Sequence, residues 1–272
     1  MIRFDAYTAT TRQANPYQLV DLLKEVAGED ATAKEGRGFH NFGRRVAFTG
    51  DDGAELGYVQ WGGMHGDLSM IEVKGERTPQ AVDALRARYW HRVTRVDSCA
   101  DFDAPRAFER LLGPCMDVKR SHRLKGERRG DWDDYPELGR TQMIGSPKSV
   151  AMVRLYEKGK QPEYRHLDKP NWARLELQVR PAKEAKTTYN EATPEQVWGA
   201  TAWTRELASL VLEEHVSPHP AGTVYRQPER ERALAWMCKQ YGSHLVSLAA
   251  DLGSWECLGK TLQEMVSESN AR

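Results

Sequence analysis

Cysteine is scarce in this chain. The 272 residues hold only Cys99, Cys115, Cys238 and Cys257, and no two of them form a Cys-x-x-Cys pair. That spacing argues against a disulfide framework or a thiolate zinc site and fits reduced thiols in a cytoplasmic protein. The eight histidines are equally dispersed, with neither His-x-His nor His-Glu-x-x-His, so no histidine metal centre is signalled. No secretory segment opens the chain, and no apolar run approaches the ~20 residues that span a bilayer, so no membrane partner is expected. Net charge is absent too, with 39 Lys+Arg against 39 Asp+Glu. A generic polyanion binder is basic overall, so any nucleic-acid contact must come from local patches. The phosphate loops GxxxxGK[ST] and GxGxxG are missing as well, which disfavours an enzyme acting on small phosphorylated substrates.

What is present alternates between strand and helix signals. Residues 2–10 read as a strand. Asn15-Pro16 then opens a helix whose Leu19, Leu22, Leu23 and Val26 share one side, ending near Gly28. Strands follow at roughly 38–49, 55–61 and 68–74, turned by Asp51-Asp52-Gly53 and Gly62-Gly63. A helix from Thr78-Pro79 feeds a strand through HRVTRVDSC, and a short helix is predicted at 105–112. Strands at 140–145, 149–158 and 172–181 come next. From Thr193 the pattern turns helical, with one long helix predicted through TPEQVWGATAWTRELASLVLEEH and others at 228–240 and 253–268. The expected class is therefore α+β: an antiparallel sheet with helices on one face and a helical C-terminal part. Strand–helix–strands occurring twice hints at a duplicated unit.

Period-two alternation assigns the faces. Arg154, Tyr156 and Lys158 share one side of RLYEKG, with Val153 and Leu155 on the other. In RLELQVR, Arg174, Glu176, Gln178 and Arg180 oppose Leu175, Leu177 and Val179. Such alternation also marks any half-solvated antiparallel strand. Charge concentrates at 119–129 (KRSHRLKGERR), read as a solvated loop with six Lys/Arg against Glu127.

Three segments resemble, in order and spacing, the replication initiation factor family, the rolling-circle initiators of some plasmids and filamentous phages. They are R-x-D-x-x-x-D (Arg95, Asp97, Asp101), G-S-x-x-S-x-x-x-x-R-x-Y-x-K-G (Gly145 to Gly159) and R-L-E-L-Q (174–178). The early YVQWGGMHG and IEVKG segments extend the resemblance over roughly residues 1–182. It implies a nicking and joining domain at 1–190, "nickase-like" in fold, and a C-terminal region at 191–272 for DNA recognition or oligomer contacts. It further implies an endonuclease whose tyrosine, here Tyr156, becomes linked to a 5′ phosphate at an origin while a 3′ hydroxyl is released. A carboxylate-held divalent metal assists in that family, and a host helicase and polymerase are the expected partners.

The residue chemistry beside that resemblance is consistent with it. A phenol with pKa ~10 needs a neighbouring cation to attack near neutrality, and Arg154 and Lys158 lie on its face. Oxygen ligands suit Mg²⁺ or Mn²⁺, with Asp97 and Glu176 the first candidates and Asp101 the third. Their structural alternative is an ion pair with Arg95 or Arg174. Tyr164 is the reserve nucleophile. Lys119, Arg120, Arg123, Lys125, Arg128, Arg129 and Lys148 are the expected contacts to origin DNA, whether double-stranded or extruded as single strand. Trp61, Trp132 and Trp172 have aromatic faces for unpaired bases, but a core role is the favoured reading for each. Arg226, Arg230 and Arg232 suggest a further contact for DNA or for a second copy in a homo-oligomer. The competing reading, from a different class, is a DNA-binding regulator that keeps the fold without cleaving.

Overall fold

Among the described residues ten strands pair into one antiparallel sheet. They are β1 (Ile2–Thr11), β2 (Thr32–Gly36), β3 (Arg44–Thr49), β4 (Glu55–Trp61), β5 (Ser69–Lys74), β6 (Arg92–Asp103), β7 (Gly126–Gly130), β8 (Arg140–Gly145), β9 (Ala151–Glu157) and β10 (Trp172–Val179). The helices are α1 (Pro16–Ala27), α2 (Thr78–Arg88), α3 (Ala107–Ser121), α4 (Ala185–Thr188), α5 (Pro194–Val197), α6 (Ala202–Leu207), α7 (Glu229–Asp251) and α8 (Trp255–Asn270). This computed structural model describes residues 1–51, 53–133, 135–222 and 229–270.

The strand order is β2-β3-β4-β5-β1-β6-β10-β9-β8-β7. Read outward from the central β1–β6 pair, the two halves repeat one topology. Each begins with a long central strand, crosses a helix (α1 or α3), and returns through four strands, the last of which pairs with the first. The duplication expected from element order is thus present in the topology. One face of the sheet is packed by helices. Leu19, Leu22, Leu23 and Val26 of α1, Val82 and Leu85 of α2, and Phe108, Leu111 and Val118 of α3 join a single core with Val153, Leu155, Leu175 and Leu177. Each such aliphatic side chain contributes about 1.5–3 kcal/mol on burial. Among the described residues the other face, the open face, carries no helix layer.

α1 starts as its sequence predicts. Asn15 accepts from Tyr17 N, Gln18 reciprocates on the Asn15 backbone, and Pro16 occupies the first turn. Other elements depart from expectation. α3 runs to Ser121 rather than ending near 112, passing through Pro114. Proline costs a helix interior roughly 3 kcal/mol, but Phe108, Leu111, Cys115 and Val118 are all buried on one stripe and hold the helix across it. The 119–129 segment is consequently a loop only at 122–125: Lys119 and Arg120 lie in the last turn of α3, and Arg128 and Arg129 lie on β7, an exposed edge strand. β2 was not anticipated; it too is an exposed edge, with little burial to leave a periodic trace. The predicted long helix after Thr193 breaks after α5 into a 3₁₀ turn at Trp198–Ala200. A side chain at Gly199 would meet Ser217 O at 2.5 Å, so another part of the chain crosses where a continuous helix would stand. Thr201 then recaps α6.

Trp198 and Leu207 are fully buried in the same core, so the first compact unit extends to Val224, past residue 190. The second unit, Tyr225–Arg272, holds α7 and α8. Arg226, and the side chains of Arg230 and Arg232, lie outside the described residues. Among the described residues no helix is long and apolar enough to cross a membrane.

One buried pair makes the core sensitive to acid. His91 is fully buried with Nδ1 2.9 Å from Tyr89 O and Nε2 2.8 Å from Tyr7 Oη. The carbonyl can only accept, so Nδ1 donates to it and Nε2 accepts from Tyr7. Burial disfavours the imidazolium and lowers the pKa to about 4. The unfolded chain, with an ordinary histidine near 6.5, binds a proton first as pH falls. Stability contributed by neutral His91 is therefore present above pH ~6.5 and lost as pH drops through 4, by about 3 kcal/mol in all. Urea unfolding of the native chain and a His91→Gln variant across that window checks this; identical slopes would remove His91 as the cause.

Candidate active site

β10 shows why the open face deserves scrutiny beyond its alternation. Its apolar side chains are fully buried, as expected, but Arg174, Glu176 and Gln178 on the open face are also only 2–5 % exposed. A merely solvated strand face would leave them in water. Instead they are buried against one another and against charged residues of β1, β6 and β9, in two adjoining networks.

The first network lies between β6, β10 and β9. Register places Glu176 opposite Arg154 on one side and Cys99 on the other, with Asp97 opposite Gln178. Arg154 Nη2 bonds Glu176 Oε1 and lies 3.2 Å from Asp97 Oδ2, bridging the two carboxylates. Arg95 forks onto Asp97 at 2.9 and 2.5 Å, and Gln178 Nε2 donates to the same group at 3.3 Å. Tyr156 Oη donates to Glu176 Oε2 at 3.1 Å. Burial and the nearby Asp97 charge push the Glu176 carboxyl up to about 7, with Arg154 offsetting only part of the rise. Burial, followed by the Glu176 charge, raises the Tyr156 phenol above its ordinary value, and the arginines lower it by less. A cleft of about 290 Å³ opens over these groups, lined also by Asp5, Lys74, Thr141 and Gln161.

The second network centres on Arg174. Its Nε and Nη2 each reach Asp101 at 2.7 Å, and Nη1 reaches Asp5 at 2.6 Å. Trp172 Nε1 and Arg3 Nη2 complete Asp101 at 2.9 Å each. Burial works to raise the Asp101 carboxyl, but the hydrogen bonds and charge of Arg174 outweigh it and hold it below the usual range.

The structure thus brings Asp97, Glu176, Arg154 and Tyr156 together and separates them from two expected members. Asp101 is four residues beyond Asp97 on one strand, about 13 Å away, and is committed to Arg174 and Trp172. Lys158 leaves the strand in a 3₁₀ turn and is buried between rings, its Nζ 4.4 Å from the Tyr164 centroid and 4.7 Å from that of Trp172. It therefore does not share the Tyr156 surface as strand alternation predicts. Burial, with repulsion from Arg174, lowers its pKa. The basic neighbours favour the phenolate by less than burial opposes it, and Arg154 is engaged by both carboxylates. Tyr164 packs edge-on against Trp172 at 5.3 Å, and burial raises its phenol too.

The remaining expected contacts scatter. Arg129 is in register with Thr141, and Thr141 with Tyr156, so Arg129 is on the open face with its backbone two strands, or about 10 Å, from that of Tyr156. Arg129 also pairs with Glu127 at 2.9 Å. Arg128 sits over the Trp132 ring at 4.4 Å. Arg123 and Lys125 line a hollow with Ser146 and Ser149 at the β8–β9 turn, where Lys148 is exposed, while Arg120 pairs with Asp117. Lys119 lies along Gly126, where a Cβ would meet its Cε at 2.7 Å. Trp61 packs on the core, and Trp132 between Phe108 and Arg128.

Asp5, Lys74 and Glu72 are open-face residues outside the expected site set, although Glu72 and Lys74 lie in the IEVKG segment. A register shift in β1 between Phe4 and Ala6 displaces Asp5 from simple alternation. Glu72 on β5 mirrors Glu176 on β10: it accepts from Tyr58 Oη and Thr8 Oγ1 at 3.1 Å and pairs with Lys74 Nζ at 3.0 Å. Only the order of the two halves pointed to such a counterpart.

Among the described residues no three His, Cys, Asp or Glu side chains converge as a metal-binding group. Asp97 and Glu176 are nonetheless a hard-oxygen pair around one cation position, occupied by the Arg154 guanidinium, with Glu176 still poorly neutralised. That donor set fits Mg²⁺ or Mn²⁺, which commonly keep waters and take one or two carboxylates plus substrate phosphate oxygens.

No protein-family model and no curated protein matches this chain. Among solved structures it is similar to a rolling circle replication initiator protein from Geobacillus stearothermophilus. The identity is 18%, the TM-score is 0.43, and the match covers 66% of this chain and 75% of that one.

Proposed function

We propose that the cleft over β6, β9 and β10 nicks and rejoins one strand of DNA, with Tyr156 as nucleophile. The observation that carries this reading is the hydrogen bond from the Tyr156 hydroxyl to Glu176, itself set beside Asp97 around one cation position. The motif order around Arg95, Tyr156 and Glu176 supports the same assignment. Glu176, hydrogen-bonded to the phenol and with its carboxyl raised by burial and the Asp97 charge, is placed to accept the phenolic proton. As the Tyr156 oxygen bonds to phosphorus, the bond from phosphorus to the 3′ oxygen breaks. The 3′ oxygen leaves as a hydroxyl after protonation, and the 5′ phosphate remains on the tyrosine. Arg154 and Arg95 supply positive charge for the phosphate as it becomes five-coordinate. Asp97 and Glu176 would hold Mg²⁺ or Mn²⁺, which would polarise the scissile phosphate. Arg129, on the same face, extends the surface toward the DNA backbone.

The test is incubation with Mn²⁺ and a supercoiled plasmid carrying a candidate origin, followed by a denaturing gel and peptide mapping. A covalent adduct on Tyr156, dependent on metal, is expected. Asp97→Asn and Glu176→Gln should each shift the Mn²⁺ midpoint at least about tenfold, in the range seen when metal-site partners are removed; unchanged titration curves remove them as ligands. A non-cleaving DNA-binding regulator is the second reading, favoured by one observation: Arg95, Arg154 and Arg174 all pair with carboxylates. Binding without an adduct, beside an active initiator as control, would select it.

A further inference from the structure

We infer that the hollow at the β8–β9 turn binds one nucleotide of single-stranded DNA, its phosphate between Arg123 and Lys125 and its base against Trp203. The choice of DNA as the source of that nucleotide rests on the function proposed above. The end of α3 builds the first wall. Leu124 N donates to Lys119 O at 2.9 Å and Arg123 N to Arg120 O at 3.1 Å, the paired bonds of a helix end that needs a left-handed residue. Glycine ordinarily takes that position, but here Arg123 holds it at φ 51°. The β8–β9 turn is the second wall. Gly145 N donates to Lys125 O at 2.8 Å, and Ser149 Oγ lies 2.6 Å from both Ser146 O and Ala151 O. With Trp203 of α6 these segments enclose about 220 Å³.

The lining specifies the ligand. Arg123 and Lys125 are both exposed, and among the described residues neither side chain has an ion-pair or hydrogen-bond partner. None of the residues lining the hollow is acidic, and Glu206 of α6 is bonded to His122 at 2.6 Å. Trp203 is only 9 % exposed, yet among the described residues its indole N–H has no acceptor. A buried indole ordinarily finds one. Leu124 and Val150 supply an apolar floor. The volume falls below the roughly 300–1,000 Å³ of sites that enclose drug-sized ligands, so one nucleotide fits and a dinucleotide cofactor does not. A nucleotide brings a phosphate for the two cations, oxygens for the indole N–H and a ring face for the floor. Val150 precedes Tyr156 by six residues of extended chain, about 20 Å, so the hollow is separate from the cleft but within reach of one strand.

Photo-crosslinking of the full chain to an oligothymidylate carrying one 5-iododeoxyuridine, followed by peptide mapping, tests this. Crosslinks are expected within 123–125, 145–151 or 201–203. Fluorescence anisotropy of a labelled oligothymidylate reads the phosphate contacts. Arg123→Gln and Lys125→Gln, at exposed positions that leave the core intact, should each lower the slope of log affinity against log salt by about 0.7. Trp203→Phe should weaken binding about fivefold, the worth of one hydrogen bond, with that slope unchanged. Crosslinks confined to other segments, or slopes that both glutamine variants leave unchanged, overturn the proposal. Free thymidine monophosphate that blocks the crosslink as effectively as unlabelled strand overturns the strand as the source of the nucleotide. A crosslink in the hollow of a chain that forms no Tyr156 adduct upholds this site and removes the nicking function; an adduct without that crosslink does the reverse.

Discussion

Tyr156→Phe is expected to reduce the covalent protein–DNA adduct to background, a fall of at least about 10⁴-fold, because removing a nucleophile leaves only binding and charge stabilisation. The fold should survive. Only a hydroxyl is lost, and with it one hydrogen bond to Glu176, at a cost of about 1–2 kcal/mol. DNA retention on a filter, measured beside adduct formation on a gel, separates the two effects. Continued adduct formation in this variant would shift the nucleophile to Tyr164 or another residue. Its environment makes the experiment informative, since burial and the Glu176 charge oppose the phenolate. Attack therefore requires that the proton leave toward Glu176, or that a cation enter between Glu176 and Asp97. An adduct that forms only with divalent metal points to the second route.

Removing Arg174 should have the largest effect on stability. Its side chain is 2 % exposed and neutralises Asp101 through two hydrogen bonds and Asp5 through a third. Arg174→Met would keep much of the volume while leaving two largely buried carboxylates without their main counter-charge. Breaking a buried pair in this way costs about 3–5 kcal/mol, which for a chain of this size lowers Tm by about 10 °C. Asp101→Asn should cost less, since Arg174 keeps Asp5 as a partner. Thermal unfolding of both variants decides the matter: equal midpoints for Arg174→Met and the native chain would mean that the network adds nothing net.

How much was legible beforehand varied with the kind of signal. Strands that bury an aliphatic face, such as β9 and β10, were readable because period-two alternation reflects burial directly. α1 was readable from Asn15, Pro16 and Gly28, since caps act locally. β2 and β7 were not, because exposed edge strands draw their stability from pairing with a neighbour rather than from their own side chains. α3 was predicted to end at 112, short of Pro114, because the buried stripe that carries the helix on to Ser121 is fixed by tertiary packing.

The site divides in the same way. Sequence alone determined which residues face together along a strand, placing Arg154 with Tyr156 and Glu176 with Arg174, because alternation is a property of the extended backbone. It also determined the motif order that singled out Asp97. Only the tertiary structure decided which strands are neighbours, since β6 pairs with β10 across 68 intervening residues and β1 inserts between β5 and β6. That pairing committed Asp101 to Arg174 and brought Asp5 to the cleft, while a 3₁₀ turn carried Lys158 into an aromatic slot. Charges distant in sequence meet through sheet register, and register is a long-range choice that no local pattern encodes.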